Sequence, residues 1–153
     1  MAGDGVAYQW DDRAFQQMLK ETIGRVKNFK PVMEPFSDYM VTRTEDRFDK
    51  EQAPDGSAWQ TLKRATRMEK QASGKIDKIL QRNGLLRLVH PKATRDSAGV
   101  YSNKVYAAIH NRGGMAGRNR SARIPKREFL GFNDADIKEF QATVKDWIIM
   151  GRR

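Results

Sequence analysis

No stretch of this chain stays apolar for more than five consecutive residues, the longest being Val105–Ile109. A helix that spans a bilayer needs ~20, so no membrane span and no membrane partner is expected. The apolar residues must reach a core by periodicity, as stripes on helices or alternation along strands. At 153 residues and 39% hydrophobic content, the chain suits one domain with one modest core. Cysteine is absent, which excludes disulfides, thiolate metal sites, iron–sulfur clusters and a cysteine nucleophile. The opening MAGDGVAYQW lacks the basic-then-apolar order of a signal peptide, so synthesis in cytoplasm is expected.

The net charge of +10 is unevenly placed. Residues 1–60 hold 8 basic and 11 acidic side chains, residues 61–95 hold 10 and 2, residues 96–128 hold 7 and 2, and residues 129–153 hold 4 of each. All of the excess lies between Thr61 and Glu128. A one-sided basic region points to a polyanion or an acidic protein surface, or simply to a solvated face.

Residues 1–10 are small and polar and read as a flexible N-terminus, with residues 11–153 as the single domain. A first helix is expected from Asp11 or Asp12, with Trp10 and Phe15 placed as a hydrophobic staple and Phe15, Leu19, Ile23 and Val26 as its stripe. Pro31 suits the first turn of a second helix. Val32, Phe36, Tyr39, Met40 and Phe48 share one face of it, and Glu34, Asp38, Glu45 and Asp49 the other. That helix must end before Pro54-Asp55-Gly56, a strong turn signal followed by Trp59. Thr61 to Met68 reads as an exposed short helix or an ordered loop, and Ile76, Ile79 and Leu80 recur with helical spacing up to Asn83-Gly84. Strands are expected at Leu85–His90 and Val100–Val105, with a turn at Asp96–Gly99. Tyr106–His110 reads as a short helix or more strand, and about 111–123 as a mobile basic loop. Asn133 is placed to cap a last helix whose buried stripe is Ile137, Phe140, Val144, Trp147 and Ile148. The order is that of an α+β fold: N-terminal helices and a C-terminal helix packed on a small antiparallel β-sheet with long loops.

Chemistry-bearing patterns are sparse. The two histidines, His90 and His110, have no partner motif, and no phosphate loop, nucleophile elbow or zinc signature occurs. The acidic pairs sit at expected helix starts or on an exposed face; helix capping and the helix dipole account for Asp11-Asp12 and Asp134-x-Asp136. No catalytic residue, metal site or cofactor is therefore assigned, and the chain is read as non-enzymatic. Arg112, Arg118, Arg120 and Arg123, with Lys126 and Arg127, read as a contact surface within a Gly/Asn-rich stretch, or as an ordinary disordered basic loop. It lacks the aromatics of single-strand binders, so any nucleic-acid contact would be to the backbone and insensitive to sequence.

Three stretches then carry a resemblance: FDKEQAPDGSAW (Phe48 to Trp59), ILQRNGLLR (Ile79 to Arg87), and VYAAIHNRGG followed by IPKREFLG between Val105 and Gly131, with FNDADIKEF after it. Together they resemble the phage virion morphogenesis family, the tail completion or neck proteins of contractile-tailed, Mu-like phages, over roughly residues 40–150. Glu128 stands where a second proline is common there, Lys126 replaces a small residue, and Arg112 stands where an aromatic often precedes the glycine pair. The resemblance implies a structural virion protein at the head–tail junction. It implies assembly as a ring, a hexamer, with no cofactor. It implies contact with other neck proteins, with the head connector or completion protein and with the tail terminator or tube, while DNA passes through. On this reading Asp55, Gly56, Trp59, Pro125, Arg127, Phe129 and Leu130 are interface candidates, Trp59 as an anchor after a rigid turn or as an ordinary core residue. Arg112, Arg118, Arg120 and Arg123 are candidates to line the DNA channel. The alternative is a small basic non-catalytic nucleic-acid-binding module.

Overall fold

A computed structural model describes residues 13–151. In chain order it contains α1 (Arg13–Lys27), α2 (Lys30–Lys50), α3 (Arg64–Ala72), β1 (His90–Ala93), β2 (Ala98–Tyr101), α4 (Ala107–Arg112), β3 (Gly114–Ala116), a 3-10 turn (Arg118–Arg120), β4 (Ala122–Ile124) and α5 (Asp134–Met150). The fold is α+β, with the strands arranged as two antiparallel hairpins, β1–β2 and β3–β4. The staple expected between Trp10 and Phe15 involves a residue outside those described.

Helix α2 is the spine. Pro31 occupies its first turn, where the missing N–H has no helical partner to lose. Val32, Phe36, Met40 and Phe48 are buried along one side. Glu51, in the left-handed region at φ 54°, ends the helix. The chain then turns through Pro54-Asp55-Gly56, where the Asp55 carboxylate accepts from the Ser57 N–H at 2.9 Å and Gly56 takes φ 85°. The β1–β2 hairpin and α5 both pack on α2. Buried Ser37 pins the hairpin: its hydroxyl donates to the Lys92 carbonyl at 3.0 Å and accepts from the Gly99 N–H at 3.3 Å.

The main core gathers Phe48, Trp59, Ile79, Leu86, Val89, Ala107 and Phe129. All but Val89 come from the three stretches that carried the family resemblance. Phe48 lies between the edge of Trp59 and the ring of Phe129, with centroids 5.3 and 5.2 Å away.

Several local expectations shift. Ile76 to Leu80 is not helical. Its backbone groups are taken by side chains: the Lys70 ammonium, buried at the end of α3, donates to the carbonyls of Ile76 (2.9 Å) and Lys78, and the Ile79 N–H donates to the Glu51 carboxylate at 2.6 Å. An α-helical ladder would need those same groups. The first strand begins at His90 rather than Leu85, because Leu86 and Val89 turn into the core. The turn comes earlier than Asp96–Gly99. Thr94 closes it, its N–H on the Ser97 carbonyl at 2.8 Å and its hydroxyl accepting from the Ser97 N–H at 3.0 Å. Of Tyr106–His110, residues 107–110 are helical, within α4, and Tyr106 is its N-cap. The stretch read as a loop holds all but the last residue of the β3–β4 hairpin, with Met115 opposite Arg123.

The terminal helices are the least covered. No side chain of α1 is buried. In α5 only Asp136 is buried, and Ile137, expected inside, is 45% exposed. The two helices are tied at their C-terminal ends. The Arg25 guanidinium donates to the Ile148 and Ile149 carbonyls at 3.1 and 3.3 Å, and Trp147 Nε1 donates to the Arg25 carbonyl at 3.3 Å. Arg25 thus serves acceptors that a helix end leaves open.

Candidate functional site

Residues 125–133 run without regular structure between β4 and α5. A buried irregular segment has to find partners for each backbone group, and here other segments supply them. The Arg127 N–H donates to the His110 carbonyl at 2.9 Å. The Asn111 side-chain oxygen accepts from the N–H groups of Phe129 and Leu130, both at 2.9 Å. Trp59 Nε1 donates to the Glu128 carbonyl at 2.8 Å. Arg47 Nη1 donates to the carbonyls of Phe129 and Gly131 at 3.0 and 2.8 Å. The strap reaches back through the Arg127 guanidinium, which donates to the carbonyls of Gln60 (2.9 Å) and Thr61 (3.3 Å).

The strap ends in a buried polar knot. Asn133 and Asp136 form a capping box at the start of α5: Asn133 Oδ1 accepts from the Asp136 N–H at 2.8 Å, and Asp136 Oδ2 accepts from the Asn133 N–H at 3.1 Å. The Asp136 carboxylate also accepts from Arg47 Nη2 and Arg43 Nε, each at 3.0 Å, and from the Tyr39 hydroxyl at 3.1 Å. Burial, then the hydrogen bond to Asp136, raises the Tyr39 pKa above its ordinary value. Burial lowers that of Arg47, opposed by the charge of Asp136.

Beside the strap lies a cleft of about 850 Å³ between residues 60–66 and the β3–β4 hairpin. Lys63, Arg112, Arg123, Lys126 and Arg127 line it, and among the described residues no carboxylate does. Gly113 at its edge has φ 75°, and a Cβ there would come within 2.8 Å of the Lys126 backbone nitrogen. Glycine is therefore required where the hairpin leaves α4. Arg112, Arg118, Arg120 and Arg123 are all exposed. None of the four guanidinium groups has an ion pair or hydrogen bond among the described residues, whereas Lys126 pairs with Glu128 at 2.6 Å and Arg87 with Asp49 at 2.5 Å.

His110 sits beneath the strap, its ring edge-on to Tyr106 at 6.2 Å. Its Nδ1 is buried and finds no partner among the described residues. Burial, and secondarily Arg127, lowers its pKa from the ordinary 6.5. The unfolded chain therefore takes up the proton first as the pH falls. The stability tied to neutral His110 is complete above pH 6.5 and is lost as the pH drops through the lowered folded value. Melting temperatures measured from pH 8 to 5 are expected to fall more steeply for the parent than for His110→Gln. Parallel curves would show that His110 does not titrate with unfolding.

The sequence matches the phage virion morphogenesis family over residues 10–148. The chain belongs to that family. It is 25% identical over 140 residues to Mu-like prophage FluMu G protein 1 of Haemophilus influenzae, covering 90% of each chain. It is 32% identical over 69 residues to Mu-like prophage FluMu G protein 2 of the same organism, which is 45% of this chain and 50% of that relative's length. No solved structure matches.

The motifs by which this virion morphogenesis protein resembles its family are assembled around the strap. Trp59, Phe129 and Arg127 are 4%, 0% and 7% exposed, so their side chains are occupied inside the protomer. For Trp59 this is the core alternative of the two that the sequence left open. Asp55 and Gly56 are exposed in their turn, and Pro125 and Leu130 are half-buried. The four channel-candidate arginines lie in one region, on and beside the hairpin. Reasoning from sequence missed Asn111, Arg47 and Asp136 as organisers of the strap, and Lys63 as a wall of the cleft. An asparagine directly after the histidine of the third stretch was a usable signal for Asn111. Nothing local marked Arg47, which reads as one more cation on an amphipathic helix. Among the described residues no three His, Asp or Glu side chains gather as metal ligands, and no helix is long and apolar enough to cross a membrane.

Proposed function

We propose that this protein is a structural subunit of the phage virion, a tail completion protein. Copies of it form a ring, a hexamer, at the head–tail junction around the DNA channel. Membership of the virion morphogenesis family supports the setting. The observation that carries self-assembly is the bare apolar stripe of α1: Phe15, Met18, Leu19, Ile23 and Val26 are 40–55% exposed on a helix that buries no side chain of its own. Contiguous exposed apolar surface of this kind marks an interaction face. A closed ring needs two different complementary faces on each subunit. The α1 stripe is one, and we assign Asp55, Gly56, Pro125 and Leu130 to a second. That second face is available to neck proteins, head connector and tail tube as well. The exposed Arg112, Arg118, Arg120 and Arg123, without an ion pair among the described residues, face the channel, where screened contacts hold DNA without sequence preference.

Light scattering tests the reading. The parent chain, alone or with its virion partners, is expected at several times 17.6 kDa, and Leu19→Asp with Ile23→Asp at the mass of one chain. Both positions are exposed, so helical content should stay within error of the parent. The basic cleft favours a second reading, a nucleic-acid-binding module working outside the particle. A parent that stays monomeric with its partners and binds duplex DNA with a steep salt dependence would establish that reading and remove the first.

A further inference from the structure

We infer that the apolar stripe of α1 docks in a groove on α5 of the next copy of the chain; this deepens the self-assembly reading above and rests on it. The groove has a volume of about 380 Å³. Phe140, Val144, Ile148 and Ile149 line it, with Gln141 and Lys145 as its polar members, so every wall comes from α5 itself. Ile149 is 62% exposed there, and Ile137, three residues before Phe140, is also exposed. The Asp55-Gly56 turn sits against the first residues of the same helix, with Asn133 Nδ2 donating to the Pro54 carbonyl at 3.0 Å. Helix α5 thus carries the second face on from that turn to the groove.

The protomer's own α1 does not fill this groove. Arg25 and Trp147 fix the C-terminal end of α1 to the C-terminal end of α5. In that position Phe15, Met18, Leu19, Ile23 and Val26 all stay 40–55% exposed, and none of them lines the groove. Stripe and groove match in extent: at the helical rise, Phe15 to Val26 spans ~17 Å and Phe140 to Ile149 ~14 Å. They match in character too. The stripe carries no charge and the groove one, Lys145, and contacts between identical subunits favour such charge-poor centres. Five large side chains exposed by about half offer on the order of 500 Å², and with the groove counted the contact removes about 1,000 Å² from water, the lower bound for a specific interface. One such contact makes a weak pair. A subunit in a closed ring makes it twice, once through α1 and once through α5, so the ring holds where the pair does not.

The absence of cysteine makes each introduced thiol unique. Chains carrying Lys20→Cys are mixed with chains carrying Lys145→Cys, alone and with the virion partners, and treated with a short bismaleimide, and products are mapped by mass spectrometry. Both positions are exposed. They lie near the midpoints of stripe and groove, so they meet whichever way α1 runs along α5. With one thiol per chain, any link joins two molecules. A heterodimer joined at positions 20 and 145 is expected, well above a control mixture of Lys20→Cys with the exposed Asn103→Cys. Its yield should fall roughly tenfold when the Lys145→Cys chain also carries Ile149→Ser, because one large apolar side chain is no longer buried by docking. A link between two positions 20 in its place would show α1 stripes packing on each other and would overturn the assignment to α5. A link from position 20 to another virion protein would give the stripe to that protein and overturn it as well. Light scattering on the same samples separates this inference from the reading beneath it. An assembled parent without the 20–145 link removes the α5 groove and leaves the ring, and a parent that stays monomeric with its partners removes both.

Discussion

Asp136→Ala is expected to destabilise the protein by about 3–5 kcal/mol, the usual consequence of removing one partner from a buried ion pair. Asp136 is fully buried and Arg47 is 5% exposed. The substitution takes the acceptor away from Arg47 Nη2, Arg43 Nε, the Tyr39 hydroxyl and the Asn133 N–H at once. It leaves a guanidinium in the interior without its counterion, and it opens the capping box of α5. Arg47 would still donate to the Phe129 and Gly131 carbonyls, so the chain should fold, with a lower denaturation midpoint and an unchanged slope. Arg47→Met combined with Asp136→Ala should lose less than the two single changes summed, because the second removal no longer strands a charge. Urea titrations of the four chains measure this. A loss under 1 kcal/mol for Asp136→Ala would mean that water replaces the carboxylate and that the knot contributes little.

Trp59→Ala should cost a similar amount, about 3–5 kcal/mol, as large aromatic truncations in cores do. The indole is 4% exposed, packs edge-on against Phe48 at 5.3 Å, and donates to the Glu128 carbonyl at 2.8 Å. Truncation leaves a cavity beside Phe48 and an unsatisfied carbonyl in the strap. Trp59→Phe keeps an aromatic ring in the core and loses the hydrogen bond with part of the indole's volume, so its loss should be smaller, about 1–3 kcal/mol. Measuring both in the Leu19→Asp, Ile23→Asp background separates core from interface, since that background is expected to be monomeric. If Trp59→Ala weakened assembly of the parent but left the monomeric background unchanged, the indole would be an interface anchor and not a core residue.

The two experiments address different layers of one arrangement. Phe48, Trp59, Ile79, Leu86 and Phe129 make the core, and Arg47, Asn111 and Asp136 hold the strap over it by its backbone. The stretches most characteristic of the family are thus mainly instructions for building the subunit. Of the surfaces proposed for partners, only α1 and most of the α5 groove lie outside them; the Asp55-Gly56 turn and much of the basic cleft are where the first and third stretches reach the surface.

What could be read from the sequence follows the range of the interactions involved. The α2 face, the Pro54-Asp55-Gly56 turn and the Asn133 cap were legible because each is encoded within a few residues by side-chain period, proline geometry or a capping side chain. The hairpin at residues 114–124 was not. Its register depends on Gly113 fitting against the Lys126 backbone and on Arg127 bonding to His110, contacts more than ten residues apart. The Ile76–Leu80 stretch misled for the opposite reason. Its helical spacing is real, but the Lys70 ammonium and the Glu51 carboxylate hold the carbonyls and N–H that a helix would use.

The amino-acid order alone determined the α+β class, the two long helices near the ends, the uneven charge and, through three separated stretches, the family. Only the tertiary structure decided that Trp59 and Phe129 lie inside, that Asp136 joins α2 to α5, and that the arginines of the hairpin share a cleft with Lys63. The difference is physical. Period, turns and caps are properties of neighbouring residues, whereas a buried charge or a backbone strap takes its partners from wherever the folded chain brings them.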